Sequence, residues 1–102
     1  MNRSKSLIEY FNAILMCLND KNKSYLFLGN KANDINNISD LLINKNIGFK
    51  LNKTKSTIYL NNGSKMYFKD YEDGKSLGGL EFNYISIHGE CFKNEPIKQR
   101  QR

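Results

Sequence analysis

Between Leu7 and Leu18 apolar side chains recur at helical spacing: Leu7, Ile8, Phe11, Ile14, Leu15 and Leu18 make one continuous stripe. The stripe predicts a helix of about four turns. Ser4 or Ser6 can cap its start, and Asn19-Asp20-Lys21-Asn22-Lys23 ends it. Tyr25-Leu26-Phe27-Leu28 then reads as a short strand, apolar on both faces and closed by Gly29. Such a strand is usually covered on both sides, as in α/β sheets. Residues 32–46 predict a second amphipathic helix, with Ile35, Ile38, Leu41 and Leu42 inward and Asn33 or Asp34 as its cap.

After Gly48 the period changes to two. Phe49 and Leu51 alternate with polar residues, and Thr57-Ile58-Tyr59-Leu60 is a strand by propensity. Asn62-Gly63 is a strong hairpin signal because both residues tolerate positive φ, so a two-residue turn is expected there with Gly63 at positive φ. Lys65-Met66-Tyr67-Phe68-Lys69 is the returning strand. A polar loop follows at 70–75, Leu77-Gly78-Gly79-Leu80 is tight, and 82–87 is the last strand. The order α-β-α-β-β-β-β, without repeat or linker, predicts one small α/β domain over residues 1–95. The remaining residues, 96–102, read as a flexible basic tail.

Charge sharpens this picture. The formal net charge is +6 over 102 residues, unevenly placed. Residues 1–69 carry 11 Lys/Arg against 4 Asp/Glu, residues 70–95 carry 2 against 6, and the tail adds Lys98, Arg100 and Arg102. A basic body favours phosphate backbones or acidic protein surfaces, although a lysine-rich solvated surface gives the same count. Around the hairpin Lys50, Lys53, Lys55, Lys65 and Lys69 are interleaved with Phe49, Tyr59, Tyr67 and Phe68. Basic residues with aromatics can follow a backbone and stack bases. The competing reading turns the aromatics into the core and leaves the lysines guarding a sheet edge.

The chemistry of the other side chains excludes more than it offers. Cys17 and Cys91 have no metal-ligand spacing, and His88 is the single histidine, so neither a metal nor a cofactor is expected. Cys17 lies on an apolar helical face and reads as a buried thiol. Two cysteines with no signal peptide suit a reducing cytosol. The run from Leu7 to Leu18, broken by Glu9 and Asn12, is too short to span a bilayer. No nucleophile–base spacing stands out, and Tyr84, Ser86 and His88 share one strand face without forming a catalytic set.

Taken in order, several of these pieces are similar to the ATPase domain of phage large terminase subunits, the motors that pump DNA into capsids. Ser4-Lys5-Ser6 before a long apolar helix resembles the end of a Walker A motif, which would make Lys5 and Ser6 vestigial nucleotide-binding positions. Ile58 to Phe68 resembles the family's strand, Asn-Gly-Ser, strand hairpin. Leu77-Gly78-Gly79 stands where these motors often read Leu-Arg-Gly, and Tyr84-Ile85-Ser86-Ile87 resembles the Walker B strand. The likeness covers residues 4 to about 92 and implies a partial P-loop-NTPase-like sheet with two helices and a β-hairpin.

The departures from that pattern imply lost chemistry. A phosphate-binding loop needs several glycines before its lysine, and only Met1-Asn2-Arg3 precede Ser4. A Walker B strand ends in Asp-Glu, whereas this one runs into His88-Gly89-Glu90, and histidine is a poor magnesium ligand. The expected protein is therefore not an enzyme. It is a terminase-like small phage or mobile-element protein, in the cytoplasm of a host cell, that binds a protein partner and interferes with it. That partner is a packaging motor or a host defence nuclease. The alternative is a basic nucleic-acid-binding module using Lys50, Lys53, Lys55, Tyr59, Lys65, Tyr67 and Lys69. In motors of the type it resembles the sheet continues past the Walker B strand, so Phe82, Ile85 and Ile87 are expected to border an open edge. A second copy or a partner protein would cover that edge, a homodimer being the simpler case.

Overall fold

The structure, a computed structural model, describes residues 2–71, 81–87 and 90–93, with side chains described for 7–71 and 81–87. In chain order the elements are α1 (Asn2–Asn19), β1 (Ser24–Gly29), α2 (Lys31–Asn44) and β2 (Phe49–Asn52). They continue with β3 (Thr57–Leu60), β4 (Lys65–Asp70), β5 (Tyr84–Ile87) and β6 (Glu90–Lys93). The strands form one mixed sheet in the order β2-β3-β4-β1-β5-β6. β1 lies inside it, parallel to β4 on one side and to β5 on the other. The β2-β3-β4 meander and the β5-β6 pair are antiparallel. This is the small α/β domain expected from the alternation of patterns.

Every side chain of β1 from Tyr25 to Leu28 is buried, as a strand apolar on both faces requires. Tyr25 and Phe27 face the helices. They join Tyr10, Ala13, Ile14 and Cys17 of α1, Ile38 and Leu42 of α2, and Ile58, Leu60, Met66 and Phe68 of the meander in one core. Tyr25 stacks on Phe27 at 4.8 Å and Phe27 on Phe68 at 5.2 Å, so an aromatic row crosses the sheet beneath the helices. Both helices thus cover the same face. Leu26 and Leu28 point to the other face, in register with Tyr67 and Lys69 of β4 and with Ile85 and Ile87 of β5.

The structure corrects several sequence expectations. α1 begins at Asn2, so Ser4 and Ser6 lie inside the helix and do not cap it; Arg3 and Lys5 are good helix formers and nothing stops the helix earlier. The cap of α2 is Asn30, whose Oδ1 accepts the Asn33 N–H at 3.1 Å, which leaves Asn33 and Asp34 inside the first turn. The outer edge of β5 is not open. Its four residues pair with β6, from Tyr84 with Lys93 to Ile87 with Glu90, so an edge-to-edge homodimer there loses its basis. Phe82 is buried, with its ring edge-on to Tyr67 at 5.2 Å, and Ile85 and Ile87 are half-buried. The Leu77-Gly78-Gly79 stretch, His88, Gly89 and the tail lie outside the described residues.

The hairpin confirms one expectation and corrects another. Gly63 has φ +92, whereas Asn62 is not in the left-handed region. The Leu60 N–H donates to Ser64 O at 2.9 Å and the Gly63 N–H to Leu60 O at 3.1 Å. Asn61, Asn62 and Gly63 therefore form a three-residue loop, in which a single left-handed residue suffices. A Cβ on Gly63 would stand 2.0 Å from Asn22 Oδ1. Gly63→Val is expected to cost about 1–2 kcal/mol through the left-handed backbone, more if Asn22 cannot move aside. A variant with the wild-type denaturant midpoint would contradict this geometry.

Candidate functional site

In α/β sheets ligands usually sit beyond the carboxyl ends of parallel strands. Here the ends of β1 and β4 bring Gly29 and Asp70 side by side. The turn into α2 delivers the Lys31 N–H to Asp70 Oδ1 at 2.9 Å. Behind them Tyr10 donates its hydroxyl proton to Asp34 Oδ1 at 2.5 Å, and both side chains are buried. Burial, then the bond to Asp34, pushes the Tyr10 hydroxyl up to about 12. Burial likewise raises the Asp34 carboxyl, against the opposing effect of the Tyr10 bond. This pair ties α1 to the first turn of α2; its acid is already committed to a donor. Lys5 and Ser6 belong to the first turns of α1, and their side chains lie outside the described ones. Among the described residues no group of three or more His, Cys, Asp or Glu could hold a metal ion.

Tyr10 was not singled out in the sequence, and Asp34 only as a cap of the second helix, although a signal existed. Tyr10, Ala13, Ile14 and Cys17 follow the i, i+3, i+4, i+7 pattern of a core-facing stripe. The heavier apolar stripe one position away masks it. The smaller stripe is the buried one, because Ala13 and Cys17 let the helix approach the aromatic row of β1, and Tyr10 then reaches Asp34.

The larger stripe is left outside. Of its six members only Ile14 is buried; Leu7 and Ile8 are 53% and 57% exposed, and Phe11, Leu15 and Leu18 are exposed as well. Ile8, Phe11, Leu15 and Leu18 follow a 3-4-3 spacing, the seam pattern of paired helices. Lys45 from the end of α2 places Nζ 5.4 Å from the centre of the Phe11 ring, a cation–π contact at the rim.

The basic positions around the hairpin gather on the face of the sheet away from the helices. The register sets Thr57 against Tyr67 and Tyr59 against Lys65, so these side chains share one face with Lys69, two residues beyond Tyr67. Together with the Thr54-Lys55-Ser56 turn and Lys31 they line a groove of about 520 Å³. Lys55, Tyr59, Lys65, Tyr67 and Lys69 are thus brought together, and no carboxylate lines the groove among the described residues. Lys50 pairs with Tyr59 across β2 and β3 and is exposed, and Lys53 is exposed in the turn; neither lines the groove. Phe49 and Phe68 belong to the helix side instead. The interleaved aromatics therefore divide, phenylalanines to the core and tyrosines to the lysine face.

Among the described residues no helix is long and apolar enough to cross a membrane. No protein-family model matches the chain, and neither does a curated protein or a solved structure.

Proposed function

We propose that the chain is a non-catalytic, terminase-like binding protein that engages a protein partner through the exposed face of α1 and interferes with it inside a host cell. One observation carries this reading: five large apolar side chains, Leu7, Ile8, Phe11, Leu15 and Leu18, stand on the solvent side of a single helix. Contiguous apolar surface on this scale marks an interaction site, and its spacing suits a partner helix or an apolar cleft. Two commitments support the non-catalytic part. Asp34 is bonded to Tyr10, and Asp70 holds the Lys31 N–H, so the acids beside the strand ends already have partners. The resemblance supplies the candidates for the partner: a packaging motor, or a host defence nuclease.

The test adds purified protein to a reconstituted packaging motor and, separately, to a host defence nuclease. The wild-type chain is expected to inhibit one of them. The double variant Phe11→Glu/Leu15→Glu should stay folded, with only a small drop in melting temperature from the lost Lys45 contact, since glutamate is a good helix former and both positions are exposed, yet lose inhibition. Undiminished inhibition by the variant, or a wild-type chain inert toward both targets, would overturn the proposal. Mg²⁺-dependent ATP turnover abolished by Lys5→Ala would overturn its non-catalytic part.

A further inference from the structure

Going beyond that reading, we infer that the groove between the β3-β4 face and Lys31 is a binding site for single-stranded nucleic acid. Its cations stand at two places and not one: the register brings Lys55 opposite Lys69, with Lys31 beside Asp70, at one end of β4, while Lys65 stands at the other. Lys65 and Lys69 are four residues apart on β4, about 13 Å along the strand. Lys55 stands on the turn at one side, and Lys31 enters from the start of α2. A single phosphate would use one end alone, whereas cations at both ends with tyrosines between them suit a chain of phosphates. Lys31 is fixed there by two bonds that have no part in its charge: the Asn30 cap of its helix and the Asp70 carboxylate on its own N–H.

The two tyrosines between the lysines set the class of polyanion. Tyr59 and Tyr67 are half-buried on this face, and Tyr67 is held by the buried Phe82 against its ring. A ring already ordered by packing loses little freedom on binding. Bases can stack on such rings only when they are unpaired, because a duplex keeps its bases stacked on one another. The floor is a sheet, with Thr57 and Tyr59 on one strand and Lys65, Tyr67 and Lys69 on the next. A hydroxyl-bearing rim, with Thr54 and Ser56 beside Lys55, offers further hydrogen bonds to phosphate or sugar.

The experiment measures fluorescence anisotropy of labelled oligo(dT), oligo(U) and a mixed-sequence DNA duplex with the full chain at two salt concentrations. Both single strands should bind, with a log–log salt slope of about −2 to −3 for three to four neutralised phosphates. The triple variant Lys55→Ala/Lys65→Ala/Lys69→Ala should lose tenfold or more and flatten that slope. Tyr59→Leu should lose affinity at an unchanged slope, which separates stacking from charge. Should the triple variant fail to fold, Lys55→Ala alone, at an exposed turn position, should still weaken binding about threefold at low salt, since one phosphate is then no longer neutralised. A preference between the two single strands would name the source, RNA or DNA. No binding at low salt, a triple variant that binds like wild type, or a duplex bound as tightly as the single strands would each overturn the inference. Because α1 lies on the opposite side of the sheet, Phe11→Glu/Leu15→Glu should leave this binding intact. The two proposals can therefore fail separately.

Discussion

Unfolding measured from pH 8 to pH 12 is expected to show a steep loss of stability that begins near pH 9. Two buried groups drive it. The Cys17 thiol is fully buried, and burial raises it from 9.0 to about 12. The Tyr10 hydroxyl is raised from 10.0 to about 12 by burial and by its bond to Asp34. Both folded values lie above the unfolded ones, so between them the folded chain holds protons that the unfolded chain has released. Stability then falls as pH rises, beginning at the unfolded value and ending at the folded one. At about 1.4 kcal/mol per pH unit, Cys17 contributes on the order of 4 kcal/mol and Tyr10 on the order of 3 by pH 12. The sum is comparable with the whole stability of a small domain. Below about pH 8 neither group contributes a slope. Cys17→Ala isolates the first step: the variant starts less stable, because the core packs less well around alanine, but its denaturant midpoint should stay flat to about pH 10. A wild-type midpoint unchanged to pH 11 would show that neither group is buried as described.

The same thiol shows how far the sequence could be read. Its burial was expected from an apolar face but comes from the smaller stripe it shares with Tyr10, Ala13 and Ile14, whereas the inward positions of α2 and the doubly buried β1 followed from the patterns as read. These are local patterns, and local periodicity sets them. The side of α1 that turns inward is not local. It is decided by whether the helix can approach Tyr25 and Phe27, which Ala13 and Cys17 permit and the bulkier Leu7–Phe11–Leu15 side does not. β6 escaped notice because Glu90-Cys91-Phe92-Lys93 is too short for alternation to show, and only its pairing with β5 defines it. The candidate groove divides in the same way. Period two alone puts Lys65, Tyr67 and Lys69 on one face, so those were visible. Lys31 was not, because it joins them only through the parallel pairing of β1 with β4 and the turn into α2.

Ser64→Ala is expected to destabilise the fold by about 1–2 kcal/mol, although it removes one oxygen from a loop. The Asn62-Gly63-Ser64 tip does more than turn the hairpin; it closes the end of α1. The last carbonyls of a helix have no partner within it. Here Asn62 Nδ2 donates to Cys17 O at 2.8 Å, with Asp20 O at 3.3 Å, and Ser64 Oγ lies 2.8 Å from Cys17 O and 3.1 Å from Asp20 O. The same Oγ accepts the Lys23 N–H at 3.1 Å, while Asn62 Oδ1 accepts the Ser64 N–H at 3.0 Å. Ser64 has no exposed surface, so water cannot replace what its hydroxyl supplies. Alanine would leave the Lys23 N–H without this acceptor and Asp20 O with only the longer bond from Asn62. A stranded buried group costs about 1–3 kcal/mol; Lys23 is half-buried and Asp20 exposed, so water on their open sides offsets part of that cost. Lys23 O also receives the Lys65 N–H at 2.8 Å, so the damage falls where β4 begins to pair with β1. Urea unfolding should show a midpoint shift equivalent to about 1–2 kcal/mol, with m unchanged. Asn62→Ala should cost less, because Ser64 still reaches Cys17 O, and the double variant should cost more than the sum of the two, because only then do Cys17 O and Asp20 O lose both side-chain donors. Strict additivity in that cycle would mean that the two side chains do not share the end of the helix.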